Sequence, residues 1–224
     1  MPSDNLPDSV FIEDTSIVIE DRALVTNMGA LQRRPEVKRV NGYLKSLEEI
    51  KTHVMPSHDM TVTIDGGDVL FTGKEIFVGL TDRTNHLGVK FLQKAFPKYD
   101  VHEIDMSRFH NILHLKSACS MCFEMGIMVG GELGMYIREI IEKKSTTSEG
   151  YKFFQIPDMV AANGLLVNDT LIRRHNEEFP NSIQAFEEVD EFVTSHDGIV
   201  VPIKADELAK VDGALTCCCL LMDI

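Results

Sequence analysis

Ile127-Met128-Val129-Gly130 is a short apolar run that leads into a segment where Tyr136, Ile137, Ile140 and Ile141 recur at helical spacing. After the polar stretch Lys143 to Gly150, the chain turns apolar again at Phe153-Phe154-Gln155-Ile156. This strand, helix and returning strand decide the fold class, because the pattern occurs three more times. Ala23-Leu24-Val25-Thr26 precedes a helix predicted over Pro35 to Ile50, striped by Val37, Val40, Leu44 and Leu47, and His53-Val54-Met55 returns. Ile76-Phe77-Val78-Gly79-Leu80 leads to a helix over Gly88 to Phe96 and to Val101-His102-Glu103-Ile104. Leu165-Leu166-Val167-Asn168 leads, after Pro180, to Ile183, Phe186 and Val189, and Ile199 to Ile203 returns. A mixed unit repeated every ~40 to 50 residues predicts a ring of α/β modules. Lys143 to Gly150 is expected to be a mobile surface loop and not a domain linker, since the repeat resumes beyond it.

At 224 residues and 44% apolar composition, the chain suits one globular domain. No apolar run approaches the ~20 residues of a membrane helix, and the start Met-Pro-Ser-Asp-Asn-Leu-Pro shows no secretion signal. The formal net charge of −13 argues against nucleic acid and anionic membranes as partners. Some of the carboxylates are expected to line a pocket that attracts a cation. Five cysteines, three of them adjacent, fit no disulfide framework and point to a reducing cytoplasm.

Cys217 follows Val211-Asp212-Gly213-Ala214-Leu215-Thr216 near the end of the chain, with Cys218 and Cys219 behind it. A thiol in an apolar run is commonly a small buried hydrophobe. Upstream, however, lie Glu13-Asp14, Asp65-Gly66-Gly67-Asp68 and Leu113-His114-Leu115. A cysteine, a separate histidine and isolated carboxylates are the parts of a thiolate that attacks a cationic carbon. Cys119-Ser120-Met121-Cys122 has zinc-like spacing but lacks a well-spaced second ligand pair. Leu215 to Leu221 is expected to form a buried strand that contains Cys218 and Cys219.

Six stretches in order resemble the dimethylarginine dimethylaminohydrolase family of the guanidine-modifying superfamily. They are Asp8 to Thr15, Gln32 to Glu36, Asp65 to Glu75, Arg83-Thr84-Asn85, Leu113 to Ser117 and Val211 to Cys218. The resemblance runs from about residue 8 to residue 221. It implies an α/β fold, a five-bladed propeller of ββαβ units, of which four and a partial fifth are expected here. Residues 1 to 224 then form one enzyme domain whose first N-terminal unit is missing.

The resemblance also implies roles: Cys217 as nucleophile, His114 as general acid and base, and Asp65 as its orienting partner. Glu13 and Asp14 are implied to bind a guanidinium, Asp8 an α-ammonium, and Arg33 and Arg83 an α-carboxylate. The Val211 carbonyl and the Asp212 side chain are implied at the pocket rim. The chemistry is consistent with these roles, since a guanidinium is planar, permanently charged and donor-only, and so calls for carboxylate acceptors. The implied reaction converts a methylated arginine to citrulline and an amine, which relieves inhibition of nitric oxide synthesis. It needs no metal or organic cofactor, although the Cys217 thiolate also offers a site for inhibitory zinc. Competing expectations are a deiminase of free arginine or agmatine and a catalytically silent binding protein. Arg33 and Arg83 speak against agmatine, which has no carboxylate. A short insertion around Ser107 to Asn111 departs from the family pattern.

Overall fold

A computed structural model describes residues 6–57, 59, 61–110 and 112–222. The opening Met1 to Asn5, and Asn111 in the insertion before His114, lie outside the described residues.

Four three-stranded sheets carry the structure, all built alike. In the first, β1 (Ser16–Ile19) and β2 (Arg22–Val25) form an antiparallel hairpin, α1 (Val37–Leu44) crosses over, and β3 (Lys51–Val54) returns parallel to β2. The second repeats this with β4 (Val69–Phe71), β5 (Ile76–Leu80), α2 (His86–Ala95) and β6 (Val101–Asp105). The third uses β7 (Cys119–Phe123), β8 (Gly126–Gly130), α3 (Gly131–Lys144) and β9 (Lys152–Ile156). The fourth uses β10 (Leu165–Val167), β11 (Thr170–Arg174), α4 (Ile183–Ser195) and β12 (Ile199–Ile203), and a single turn of helix, α5 (Asp206–Ala209), follows. A parallel return needs a crossover of about a dozen residues or more, which each helical segment supplies. The expected α/β class and its ββαβ units are thereby found. Among the described residues no helix is long and apolar enough to cross a membrane.

The chain divides into two compact units. The first gathers the described residues up to Phe71, Ile76–His114 and the segment from Cys217 onward; the second gathers Thr72–Glu75 and Leu115–Thr216. In the first unit, Ile64, Ile76, Val78, Leu92 and Phe96 are the centre of one apolar cluster. In the second, Met128, Phe154, Leu171, Phe186 and Val189 pack together. The helical stripes named above supply Val40, Leu44, Phe186 and Val189, so the periodicity identified core residues.

Three expectations are corrected. The helix over Pro35 to Ile50 is a 3-10 segment, Leu31–Glu36, followed by the eight-residue α1. Beyond Leu44 the bonds are of the i to i+3 kind, with Ser46 N donating to Tyr43 O and Leu47 N to Leu44 O, and this tightening carries Ile50 into the core ahead of β3.

Leu215 to Leu221 is not a strand, and Cys218 and Cys219 are not strand residues. Thr216–Cys218 forms a 3-10 turn, and the irregular chain beyond it lays Leu220 and Met222 against Ala23, Val25, Val40 and Leu44. A strand needs a neighbour for its backbone groups, and none of the four sheets includes this segment.

The stretch Lys143 to Gly150 is anchored. The buried Glu75 carboxylate accepts hydrogen bonds from Ser145 Oγ (2.5 Å), Thr146 N (3.1 Å), Thr147 Oγ1 (3.1 Å) and Tyr151 Oη (2.9 Å).

Candidate active site

Two short turns of the first unit meet at the site. Glu13 and Asp14 lie in the 3-10 turn Ile12–Thr15 that feeds β1, and Gly66–Asp68 forms the 3-10 turn that feeds β4. All four carboxylates, Glu13, Asp14, Asp65 and Asp68, are buried. The paired glycines permit the approach. A Cβ at Gly66 would lie 2.0 Å from the Glu13 carbonyl oxygen, and one at Gly67 would lie 2.7 Å from the His114 ring and 2.8 Å from Asp14 Oδ1. Space, not an unusual backbone conformation, is what glycine supplies here.

His114 sits against that bare backbone, 4% exposed. Its Nε2 is 3.1 Å from Asp65 Oδ2 and 3.6 Å from Asp14 Oδ1. Asp65 is itself fixed, since its Oδ1 accepts from Gly29 N (2.8 Å) and its N–H donates to Thr84 Oγ1 (3.0 Å). Asp14 Oδ1 accepts from Gly67 N (3.0 Å), and Asp68 Oδ2 accepts from Thr81 Oγ1 (2.8 Å). Burial alone would push the imidazole toward neutrality. The charges of Asp14 and Asp68 and the hydrogen bond to Asp65 outweigh it, so His114 is pushed up to about 9. At neutral pH the ring is therefore an imidazolium, a proton donor held inside a carboxylate cage.

Asp14, Asp65 and His114 each offer a ligand atom, all within 4.8 Å of one another, so the cluster has the donors for a cation. The imidazolium already supplies a positive charge there. Neither Cys119 nor Cys122 joins such a grouping among the described residues. Both are buried in β7, and burial pushes their thiols up to about 12, the range of inert thiols.

Arg33 is placed differently from the expectation of a free carboxylate receptor. Its guanidinium is committed to Asp14 Oδ2 (2.6 Å), Glu36 Oε2 (2.9 Å) and the Phe11 carbonyl (2.9 Å). A buried acid opposite an arginine fork is the natural partner for it. Arg83, in contrast, is half-buried, and among the described residues its guanidinium holds no hydrogen bond or ion pair. Asp8 lies exposed on the 3-10 turn Pro7–Val10, with its carbonyl 3.4 Å from Arg33 Nη2.

Cys217 is half-buried in the turn Thr216–Cys218 and is grouped with His114 in the first unit. Burial and the Glu13 charge raise the neighbouring thiols Cys218 and Cys219, which keeps them protonated. Val211 and Asp212 belong to the second unit, on an exposed turn where Asp212 takes a left-handed φ of 56°. His110 lines a separate cavity of about 450 Å³ with Asp82, Asn85 and Phe109.

The sequence reading assigned no role to Asp68, Thr84, Gly67 or Glu36. The first three stand in stretches quoted for other reasons, and Glu36 follows Arg33 at the i+3 spacing that marks a helical ion pair.

The arginine deiminase family model matches residues 2–202. The chain belongs to the arginine deiminase family. Among curated relatives, the Putative hydrolase DDAH2 of Homo sapiens is 29% identical over 99% of this chain and 75% of its own length. The N(G),N(G)-dimethylarginine dimethylaminohydrolase of Streptomyces coelicolor is likewise 29% identical, over 96% of this chain and 75% of its own. The resemblance to dimethylarginine dimethylaminohydrolases read from the sequence is borne out. Solved structures share the fold. A dimethylarginine dimethylaminohydrolase adduct with S-methyl-L-thiocitrulline matches with a TM-score of 0.74 at 21% identity, covering 96% of this chain and 77% of that one. The substrate-bound N-terminal domain of ArgZ, an arginine dihydrolase from cyanobacteria, also reaches 0.74, at 18% identity over 97% of this chain and 76% of that one.

Proposed function

We propose that this member of the arginine deiminase family hydrolyses Nω-methylated free arginines to citrulline and an alkylamine, with Cys217 as nucleophile. The observation that carries the reading is His114, an imidazolium at neutral pH clasped by Asp65 and Asp14 beside the Glu13 turn. A guanidinium carbon is stabilised by resonance and resists attack, so the reaction needs carboxylates to hold the cation and an acid ready for the leaving amine.

The Cys217 sulfur adds to the guanidinium carbon to form a tetrahedral adduct. His114 passes its proton to the dimethylamine nitrogen, the carbon–nitrogen bond breaks, and a Cys217 thiouronium remains. His114, now neutral, takes a proton from water as the oxygen attacks that carbon; the carbon–sulfur bond then breaks, the thiolate returns, and the adduct's hydroxyl proton passes to solvent as citrulline leaves. Asp65 anchors Nε2 of the ring, so Nδ1 is the nitrogen that carries the transferred proton. Glu13 and Asp14 receive the substrate cation, and Arg33 fixes the free rotation of Asp14. Arg83 takes the α-carboxylate and Asp8 the α-ammonium. By removing methylated arginines, the reaction would relieve inhibition of nitric oxide synthesis in a cytoplasmic setting.

A second reading, a deiminase of unmethylated arginine, is favoured by the description of the matching family and by the cyanobacterial arginine dihydrolase among its structural relatives. Citrulline release from asymmetric dimethylarginine, monomethylarginine and arginine, measured in parallel, separates the two. Faster release from the methylated substrates, with dimethylamine formed in equal amount, is expected. A preference for arginine with ammonia as co-product would overturn the first reading.

A further inference from the structure

The turn that carries Cys217 is gripped by a residue outside the carboxylate cluster. Asn163 is buried in the second unit, between the 3-10 turn Met159–Ala162 and β10. Its side-chain oxygen accepts from Thr216 N (3.2 Å) while its side-chain nitrogen donates to Thr216 Oγ1 (3.0 Å), a two-way pairing across one residue. The same nitrogen donates to the Lys116 carbonyl at 2.9 Å. Thr216 is peptide-bonded to Cys217, and Lys116 stands two residues beyond His114. The backbone around Asn163 is fastened in turn, since Ser120 Oγ donates to Ala162 O (2.7 Å) and accepts from Gly164 N (2.9 Å). Asn163 thus hangs from β7 and holds both the segment entering Cys217 and the segment leaving His114.

We propose that Asn163 is a positioning residue that fixes the direction of the Cys217 sulfur through Thr216 and steadies His114 through Lys116; this rests on the roles of Cys217 and His114 proposed above. The chemistry selects asparagine. Only a short amide offers the acceptor for Thr216 N together with the donor for Thr216 Oγ1 and the Lys116 carbonyl. A carboxylate would face the Lys116 oxygen without a proton, and Gln would carry the same groups one methylene too far.

The test compares Asn163→Ala, Thr216→Val, their double variant and Thr216→Ser in the full chain. Misplacement of a reacting group by about 1 Å costs ~10²-fold in rate. Asn163→Ala is expected to lower kcat by about that factor with KM within about twofold of wild type. Thr216→Ser, which keeps the hydroxyl, should stay near wild type, and Thr216→Val should add little in the Asn163→Ala background. A second readout does not depend on the substrate. The pH profile of Cys217 alkylation by iodoacetamide, read by mass spectrometry, should shift in Asn163→Ala while Cys119 and Cys122 stay protected, which shows the fold intact. Unchanged turnover and alkylation in Asn163→Ala, or losses that add independently in the double variant, would overturn the proposal. If the wild-type chain turns over none of the arginine substrates, the functional reading fails, and an unchanged alkylation profile would then sink the positioning role separately.

Discussion

Gly67 shows how much the site depends on a side chain that is absent. The His114 ring and the Asp14 carboxylate both occupy the space a Cβ would take. Gly67→Ala must displace one of them, so kcat is expected to fall by ~10²-fold or more, and an unchanged rate would show that the ring sits elsewhere. His114 itself provides a pH test. Its proton is held up to about 9 against an ordinary value of 6.5. Because the folded state binds this proton more tightly, its stabilisation is fully present below about 6.5 and is lost as pH rises through about 9. Turnover should lose its acid over the same upper limb. Asp65→Asn removes the hydrogen-bonding charge and should move that limb to lower pH, whereas an identical profile would exclude Asp65 as the partner. The histidine and the acids were legible in the sequence because charged side chains are seldom buried unless they are paired. Asn163 was not, since a lone asparagine after two alanines looks like a turn residue until Thr216 is seen against it.

At the level of elements, periodicity placed the four crossover helices and the returning strands, while it gave no sign of α5 and failed where charge masked burial. β11, Thr-Leu-Ile-Arg-Arg, passed unnoticed although it is the central strand of its sheet. Arg173 and Arg174 at its end are both buried, one forked onto Asp190 and stacked over Phe186, the other forked onto Glu178. A strand that hides arginines by pairing them carries no apolar signature. The same blindness made Lys143 to Gly150 look loose, because its anchor, Glu75, is distant in sequence. Glu75→Ala should strip the partners from Ser145, Thr147 and Tyr151 at a cost of about 1–3 kcal/mol or more. It should also speed hydrogen exchange from Ser145 to Tyr151, and unchanged exchange there would refute the clamp. Asn85 offers a smaller check. Its Oδ1 accepts from Gly88 N at 3.0 Å and caps α2, so Asn85→Ala is expected to cost about 0.5–2 kcal/mol in thermal unfolding.

At the scale of the molecule, the repeat of hairpin, helix and parallel return delivers the acids from turns at the starts of two sheets. It delivers His114 on the segment that ends the second sheet's unit, and Cys217 on a turn beyond the fourth. No local stretch contains the site. The acid turns and the His114 segment were nonetheless visible in the sequence as widely spaced fragments, and the glycines between the acids have a physical reason, since a Cβ there would strike the Glu13 backbone or the His114 ring. The last segment was misread because its apolar residues suggested a strand, while their role is to pack Leu220 and Met222 onto the first sheet's cluster. The central claim is that Cys217 attacks the substrate. The direct measurement is mass spectrometry of the chain, acid-quenched during turnover of asymmetric dimethylarginine. A thiouronium adduct on the Cys217 peptide is predicted, retained in Cys218→Ser and Cys119→Ser and absent, together with turnover, from Cys217→Ser; comparable turnover in Cys217→Ser, or an adduct on another cysteine, would contradict it.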